Sequence, residues 1–438
     1  KIPFDIYKKR KFEWEHTATP DNQHDWSTAT EVFVQTLGNT DSSQIGTDRN
    51  EPISWAQFLA RKNNNLYGNQ TDFIITLVDD FLETDHFGAN PLRNAEANLW
   101  IRNGTEKGIS WIGRFIKQGD STMPSPWTLV SGRMYKCGLS SNINCVPSNY
   151  NNLDIFGLPL VYKKVDSISE VNDTEGSYFI EGNEVYVHLY KGESVEDIHL
   201  DRSDKSMDAS DIGNYTIMFE NIGFNFAEKS FSGTSTEESV FYFFNCKFNR
   251  DRYSTLPIDK KYKVFVLDCH SNYPSEDGFN YHSTDVDSLA VEINSVCVGA
   301  GKHKLPGGNT GQGSNNGSTA HDGMYVLRVN GTYVECEGPI VADVGNCYSI
   351  SVECQSYDIL PSTTGTKAGF YFQNPPEVSE SDEKPKYIIG CKMSGAFFDF
   401  GIASIRSTKT YFQGFEGIDK VWPTGIPKLI YWDEVTSQ

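Results

Sequence analysis

The chain has 438 residues, 13% aromatic and 38% hydrophobic, with 37 glycines and a formal net charge of −20. The length supplies a large core and would allow two or three domains. The acidic balance, with no Lys/Arg cluster beyond Lys8–Lys11, argues against a nucleic-acid partner; no apolar run reaches membrane-spanning length, no secretory leader is read, and a start at Lys1 rather than Met reads as a fragment.

Residues 1–50 are polar and lack a strong period, apart from a first strand-like piece, Thr30–Leu37. The segment Glu51–Asn63 predicts a helix: Ser54 can cap it, and Trp55, Phe58 and Leu59 recur at i, i+3, i+4. Strands are expected at Phe73–Phe81, Leu99–Gly104, Ile109–Phe115 and Trp127–Cys137, then a loop over Ser141–Gly157 and a hairpin in Gly176–Ser194 turning at Glu181-Gly182-Asn183.

From Tyr215 the sequence becomes repetitive. Short apolar segments end at Ile222, Cys246, Cys269, Ser295, Gly331, Cys354 and Cys391, alternating with a second series: Asp277–His282, Asp322–Leu327, Pro339–Asp343, Ala368–Gln373 and Gly395–Phe400. A repeat near two dozen residues, with period-2 strands and no intervening helices, describes coils that bury their apolar faces only by stacking. The fold expected is all-β: a right-handed single-stranded parallel β-helix with a short N-terminal capping helix. Its boundaries are read as an N-terminal segment 1–70, coils 71–415 and a closing segment 416–438. Two inserts stretch the repeat, a Gly/Asn-rich one at Gly299–Thr319 and an acidic one at Pro375–Lys386. Nine cysteines without CxxC spacing read as buried reduced thiols, though Cys137 and Cys145 could pair; the six Asn-x-Ser/Thr sequons matter only in a secretory pathway.

Simple alternation sets an expected register. In the first series Phe265, Leu267, Val291, Ile293, Val329, Val352 and Ile389 point inward with the cysteine row, whereas Asn245, Asp268, Asn294, Asn330 and Glu353, together with Glu292 and Arg328, point out. In the second series Phe279, Met324, Ile340, Phe370 and Phe397 point in; Asn280, His282, Tyr325, Asp343, Tyr371 and Gln373 point out. A slip of one residue would invert each assignment.

The stretch Glu276–Asp358, carried by EDGFNYHS (Glu276–Ser283), NNGSTAHDG (Asn315–Gly323), RVNGTYVECEGPIVADV (Arg328–Val344) and SVECQS (Ser351–Ser356), resembles bacteriophage tailspike depolymerases of the pectate-lyase-like β-helix class. The resemblance extends over residues 150–415, including the hairpin ahead of the coils. It implies a homotrimer on a virion tail that binds and cuts a bacterial capsular polysaccharide or lipopolysaccharide O-antigen, with no membrane insertion. It carries over no catalytic residue.

The chemistry is therefore read from the stack. Asp277 and Asp322, each before a glycine, look equivalent one coil apart, which would place their carboxyls roughly 5 Å apart, near the spacing of a retaining glycosidase. His282, His321 and Asp343 are expected at the same edge as orienting or proton-transfer groups. Glu276, Asn280, Tyr325, Tyr371, Glu292 and Arg328 are the candidates for holding sugar. The plainer alternative is that the two Asp-Gly pairs only make turns. A competing constellation is Asp268, Glu292 and Glu353 with Arg328, whose plainer alternative is a surface ion pair. A lyase would draw a base and cations from Lys302, Lys304, Arg328 and the histidines, and a calcium site from Asp285, Asp287 and Glu292; a spike that binds without cleaving is the remaining alternative. No cofactor or metal is called for.

Overall fold

The computed structural model describes residues 24–417 and the strand Leu429–Tyr431, except 37–40, 42, 80, 84–86, 88–89, 117–124, 141–144, 155–156, 203–204, 227, 252–253, 284–287, 303–314, 361–365 and 408. Lys304, Asp285 and Asp287 lie outside the described residues. Among the described residues no helix is long and apolar enough to cross a membrane.

Each coil crosses three sheets. One coil runs through Tyr262–Leu267, His270–Asn272 and Phe279–Tyr281, and the next returns at Leu289–Ile293, parallel to its predecessor. The first sheet has twelve strands, from Thr30–Val34 to Leu429–Tyr431, and the third has eight, from Lys205–Ala209 to Phe400–Ile405; both are parallel throughout. The second sheet stacks seven short parallel strands, from Ile222–Asn225 to Lys392–Ser394, and continues through Ser110–Ile116 into antiparallel neighbours. Parallel crossovers of this kind wind right-handed, so the chain is a right-handed parallel β-helix.

Two strand series were legible in the sequence; the third was not, because the first and second sheets are joined by only two residues, such as Asp268–Cys269. The first of these two adopts the left-handed conformation: Asn221, Asn245, Asp268, Asn294, Asn330 and Glu353 have φ of 47–55°, and Gly390 and Gly414 have 60° and 62°. Asn and Gly tolerate this region best. The bend resets the alternation. Ile293 points out, Asn294 turns, and the Ser295 hydroxyl points in, donating to Val266 O at 3.3 Å.

That reset corrects the expected register of the first series. The cysteine row is inside, but the strand residues before it are inverted. Val264, Val266, Ala290 and Val326 belong to the central core, whereas Phe265, Leu267, Val291, Ile293, Val329, Val352 and Ile389 form a separate apolar cluster on the outer face of the first sheet, with Trp26, Trp100, Met218, Tyr242 and Phe244. Glu292 and Arg328 share the parity of Ala290 and Val326 and are fully buried. In the second series Phe279, Met324, Ile340 and Phe370 are inside as expected, but Phe397 lies in a bend before its strand and is 56% exposed.

Helix α1 (Trp55–Asn63) begins at Ser54 with a reciprocal cap: the Gln57 N–H donates to Ser54 Oγ at 3.2 Å and the Ser54 N–H to Gln57 Oε1 at 2.9 Å. Its Trp55, Phe58 and Leu59 join the end of the central core. The first coil strand, Thr30–Val34, nevertheless precedes it, so the coils begin ahead of residue 71, and Leu429–Tyr431 extends the first sheet beyond residue 415.

Between Ser110–Ile116 and Thr216–Glu220 the coil is interrupted by a five-stranded unit with its own core of Cys137, Tyr162, Tyr178, Val185 and Val187. The expected single strand at Trp127–Cys137 is two, Thr128–Ser131 and Met134–Gly138, folded back at Gly132 with φ 53°. The expected loop contains the strand Cys145–Leu153, whose polar residues pair antiparallel with Ile198–Arg202. The hairpin Ser177–Glu181/Glu184–His188 is as read. All nine cysteines are buried free thiols.

Candidate functional site

The third sheet has a floor of small and polar side chains facing away from the core. Strand register aligns Asn280, Thr319, Ala342, Tyr371 and Ala403 on successive rungs, and His282 and His321 in the next outward column. The alternating partners Tyr281, Ala320, Val341 and Phe372 lie in the central core. Titratable groups stand on both margins of this floor.

On one margin Asp277 precedes Phe279–Tyr281. Its Oδ1 accepts the backbone N–H of Asn316 at 2.7 Å and the Asn316 Nδ2 at 3.3 Å, and its Oδ2 accepts Asn280 Nδ2 at 3.0 Å. Asn280 Nδ2 also donates to Ser254 Oγ at 3.2 Å. Burial pushes the Asp277 carboxyl up to about 7, against the lowering by Asn316, with a further push from Glu276 beside it. This carboxyl keeps its proton to near neutrality, as a general acid must.

On the other margin His282 and His321 stack ring on ring, centroids 4.0 Å apart and 10° from parallel. His282 Nδ1 lies 3.8 Å from Asp322 Oδ2, and His321 Nε2 is 3.4 Å from Thr319 Oγ1. Burial lowers both imidazoles, His321 to about 4, where the neighbouring His282 adds to the effect; Asp322 and Asp259 pull His282 back up. Both rings are thus neutral at ordinary pH and able to accept a proton.

Asp277 and Asp322 are not a pair. Asp322 follows its strand whereas Asp277 precedes its own, and residues Tyr325–Val329 after Asp322 belong to the first sheet. Asp277 sits beside Asn316, six residues from Asp322, so the carboxylates stand at opposite margins, roughly 15–20 Å apart. The retaining spacing expected from the sequence does not exist.

Asp343, Glu292 and Arg328 are likewise removed from the surface. All three are fully buried. Arg328 Nη2 and Nη1 donate to Asp343 Oδ1 and Oδ2 at 2.9 and 3.3 Å, and its Nε donates to Ser318 Oγ at 2.7 Å. The Ser318 hydroxyl donates to Glu292, as does that of Tyr333 at 2.7 Å. Burial raises the Glu292 carboxyl, and the two carboxylates hold Arg328 firmly charged. This interior network ties all three sheets together directly beneath Thr319 and His321. With Glu292 inside, Glu353 and Asp268 lie apart from it on the outer bend, where Asn294 Nδ2 donates to Asp268 Oδ1 at 3.0 Å and Asn330 Nδ2 to Asn294 Oδ1 at 2.9 Å.

Tyr371 lies on the floor, its hydroxyl donating to Gln373 Oε1 at 2.8 Å. Tyr325 is around the corner on the first sheet, 38% exposed. It is reached by a residue the sequence did not single out: Lys384, from the acidic insert, donates to Gly323 O at 2.7 Å and lies 4.4 Å from the Tyr325 ring centre. Asn316, Thr319 and Asp259 were also missed. Asp259 follows Ile258, the rung partner of Tyr281, so the alternation in Leu256–Asp259 was the signal that could have placed it beside His282.

No protein-family model matches the chain, and no characterised protein matches it by sequence. Among solved structures it is similar to XylC in complex with xylose, with a TM-score of 0.45 and 8% identity over 88% of this chain and 69% of that one. It is also similar to the Pseudomonas phage phi297 tailspike gp61, with a TM-score of 0.22 and 11% identity over 90% of this chain and 82% of that one.

Proposed function

We propose that the chain is a phage tailspike depolymerase that binds a bacterial surface polysaccharide, capsule or O-antigen, along the third sheet and cleaves it internally by hydrolysis. The observation that carries this reading is the division of labour across the floor: a carboxyl held protonated on one margin, and a neutral imidazole facing a carboxylate on the other. Asp277 is the general acid that protonates the glycosidic oxygen. His282, oriented by Asp322 and braced by His321, is the base that takes a proton from water. Asn280 and Glu276 hold sugar near the acid, and Tyr371, two rungs from Thr319 and so about 10 Å away, offers a face for a neighbouring sugar. Asp277 and His282 stand before and after the same strand, five residues and roughly 15 Å apart along the backbone, beyond the 5–5.5 Å of a retaining pair.

The test is release of reducing ends from a panel of purified capsules and O-antigens by the parent chain, Asp277→Asn and His282→Ala. Loss of cleavage by at least about 100-fold with glycan binding kept supports the assignment. Unsaturated, ultraviolet-absorbing products would make the chain a lyase, and adsorption without product would make it a binding spike.

A further inference from the structure

The second sheet ends in its own column of left-handed residues, among them Arg250, Tyr273, Gly299 and Glu335 with φ of 52°, 51°, 71° and 53°. Here the coils meet the antiparallel unit. Arg250 and Tyr273 occupy successive rungs, and the guanidinium carbon lies 5.9 Å from the Tyr273 ring centre. Lys302 Nζ lies 5.5 Å from the same ring. Tyr178 and Tyr190 of the antiparallel unit lie near Arg250, and Lys247 adds a third basic group, beside a neutral His270, in a chain of net charge −20. The nearby carboxylates are Asp154 and Glu335, the latter paired with Lys302.

The Arg250 backbone is satisfied, its N–H donating to Asn272 O at 2.7 Å. Its guanidinium makes no hydrogen bond or ion pair among the described residues. Burial accordingly lowers Arg250, Lys247 and His270 together, His270 to about 4. A half-buried guanidinium whose nearby carboxylate, Asp154, makes no ion pair with it is open to a further anion, and its planar fork matches a carboxylate. Tyr190 and Tyr273 add amphipathic aromatic surface beside it, apolar on the ring and polar at the hydroxyl.

We propose that this junction is a second glycan subsite, in which Arg250 takes the carboxylate of an acidic sugar residue, Lys302 adds charge, and Tyr190 and Tyr273 flank the sugar ring. The subsite stands on a different sheet from the Asp277–His282 groove and does not depend on cleavage there. It gives an acidic chain a place to hold an acidic polymer.

Calorimetric titration of the full chain with D-glucuronate, D-glucose and acetate tests it. Glucuronate is expected to bind at least about 10-fold more tightly than either control, and Arg250→Met to weaken it by about 10–100-fold, the worth of a charge-assisted hydrogen bond. Lys302→Met, on the surface and without folding risk, is expected to weaken it several-fold. Asp277→Asn is expected to leave glucuronate binding intact. Glucuronate no tighter than glucose or acetate overturns the proposal, as does unchanged binding in a folded Arg250→Met chain. Should that variant not fold, unchanged binding in Lys302→Met overturns it. Loss of glucuronate binding in Asp277→Asn places the ligand in the groove instead and also overturns it.

Discussion

Asp277 is where sequence, environment and chemistry meet most directly at the residue scale. Its folded carboxyl titrates at about 7 rather than 3.8, so the folded state holds this proton more tightly than the unfolded chain does. The stability it contributes is complete below about pH 4 and is lost as pH rises towards 7. Asp201, buried with Tyr150 and Asn225 and pushed up to about 8, acts in the same direction. Thermal melting followed from pH 4 to 8 is expected to show a falling midpoint, with the slope reduced in Asp277→Asn. Catalysis adds a second dependence. Asp277 must be protonated and His282 neutral, and burial holds His282 below 6.5. Initial rates against pH are therefore expected to form a bell, with its alkaline limb near 7 and its acid limb below 6.5. The sequence made Asp277, His282, His321 and Asp322 legible as polar residues next to strands. It could not give their mutual placement, because Asp-Gly occurs both before a strand, at Asp277, and after one, at Asp322.

At the scale of elements, the repeating bend between the first two sheets decides what is inside. Asn294→Val would force a β-branched residue to φ 53° and also cut its amide contacts with Asp268 and Asn330. A loss of about 2 kcal/mol in denaturant unfolding is expected, and Asn294→Gly should cost less, since it keeps the bend. The Glu292–Arg328–Asp343 network answers to a different rule. Removing one partner of a buried pair strands the other, so Asp343→Ala is expected to cost about 3–5 kcal/mol, with most of the loss recovered if Arg328 is made Met as well. The double-mutant unfolding cycle checks both. Strict alternation placed Glu292 and Arg328 outside because one left-handed residue per coil, invisible to a period-2 count, shifts the phase of the strand before it. The two strand series with long apolar runs were readable; the three-residue strands after each bend carry too short a pattern to stand out.

The whole molecule is a solenoid closed at one end by helix α1 and carrying a large apolar cluster on the outside of its first sheet. The resemblance to tailspikes implies three copies side by side. Light scattering after sizing is expected to return three times 49.2 kDa, and a mass of one chain at micromolar concentration would overturn the trimer that the resemblance implies. The overall architecture was the most legible property, because it follows from a repeat spread over two hundred residues. The antiparallel unit between Ser110–Ile116 and Thr216–Glu220 was, apart from its hairpin, the least, because the strand Cys145–Leu153 is rich in Asn and Gly132 folds what reads as one strand back into two.

The two-residue junction between the first and second sheets has the same length from Cys246 to Cys391, while the segments leading into and out of the third sheet vary freely. Length change is thus confined to the loops that border the polar floor. Such a chain can exchange a bordering loop for one of another length without altering the pitch or phase of a single coil. On the proposed function, the glycan such a chain recognises can drift while the way it folds stays fixed.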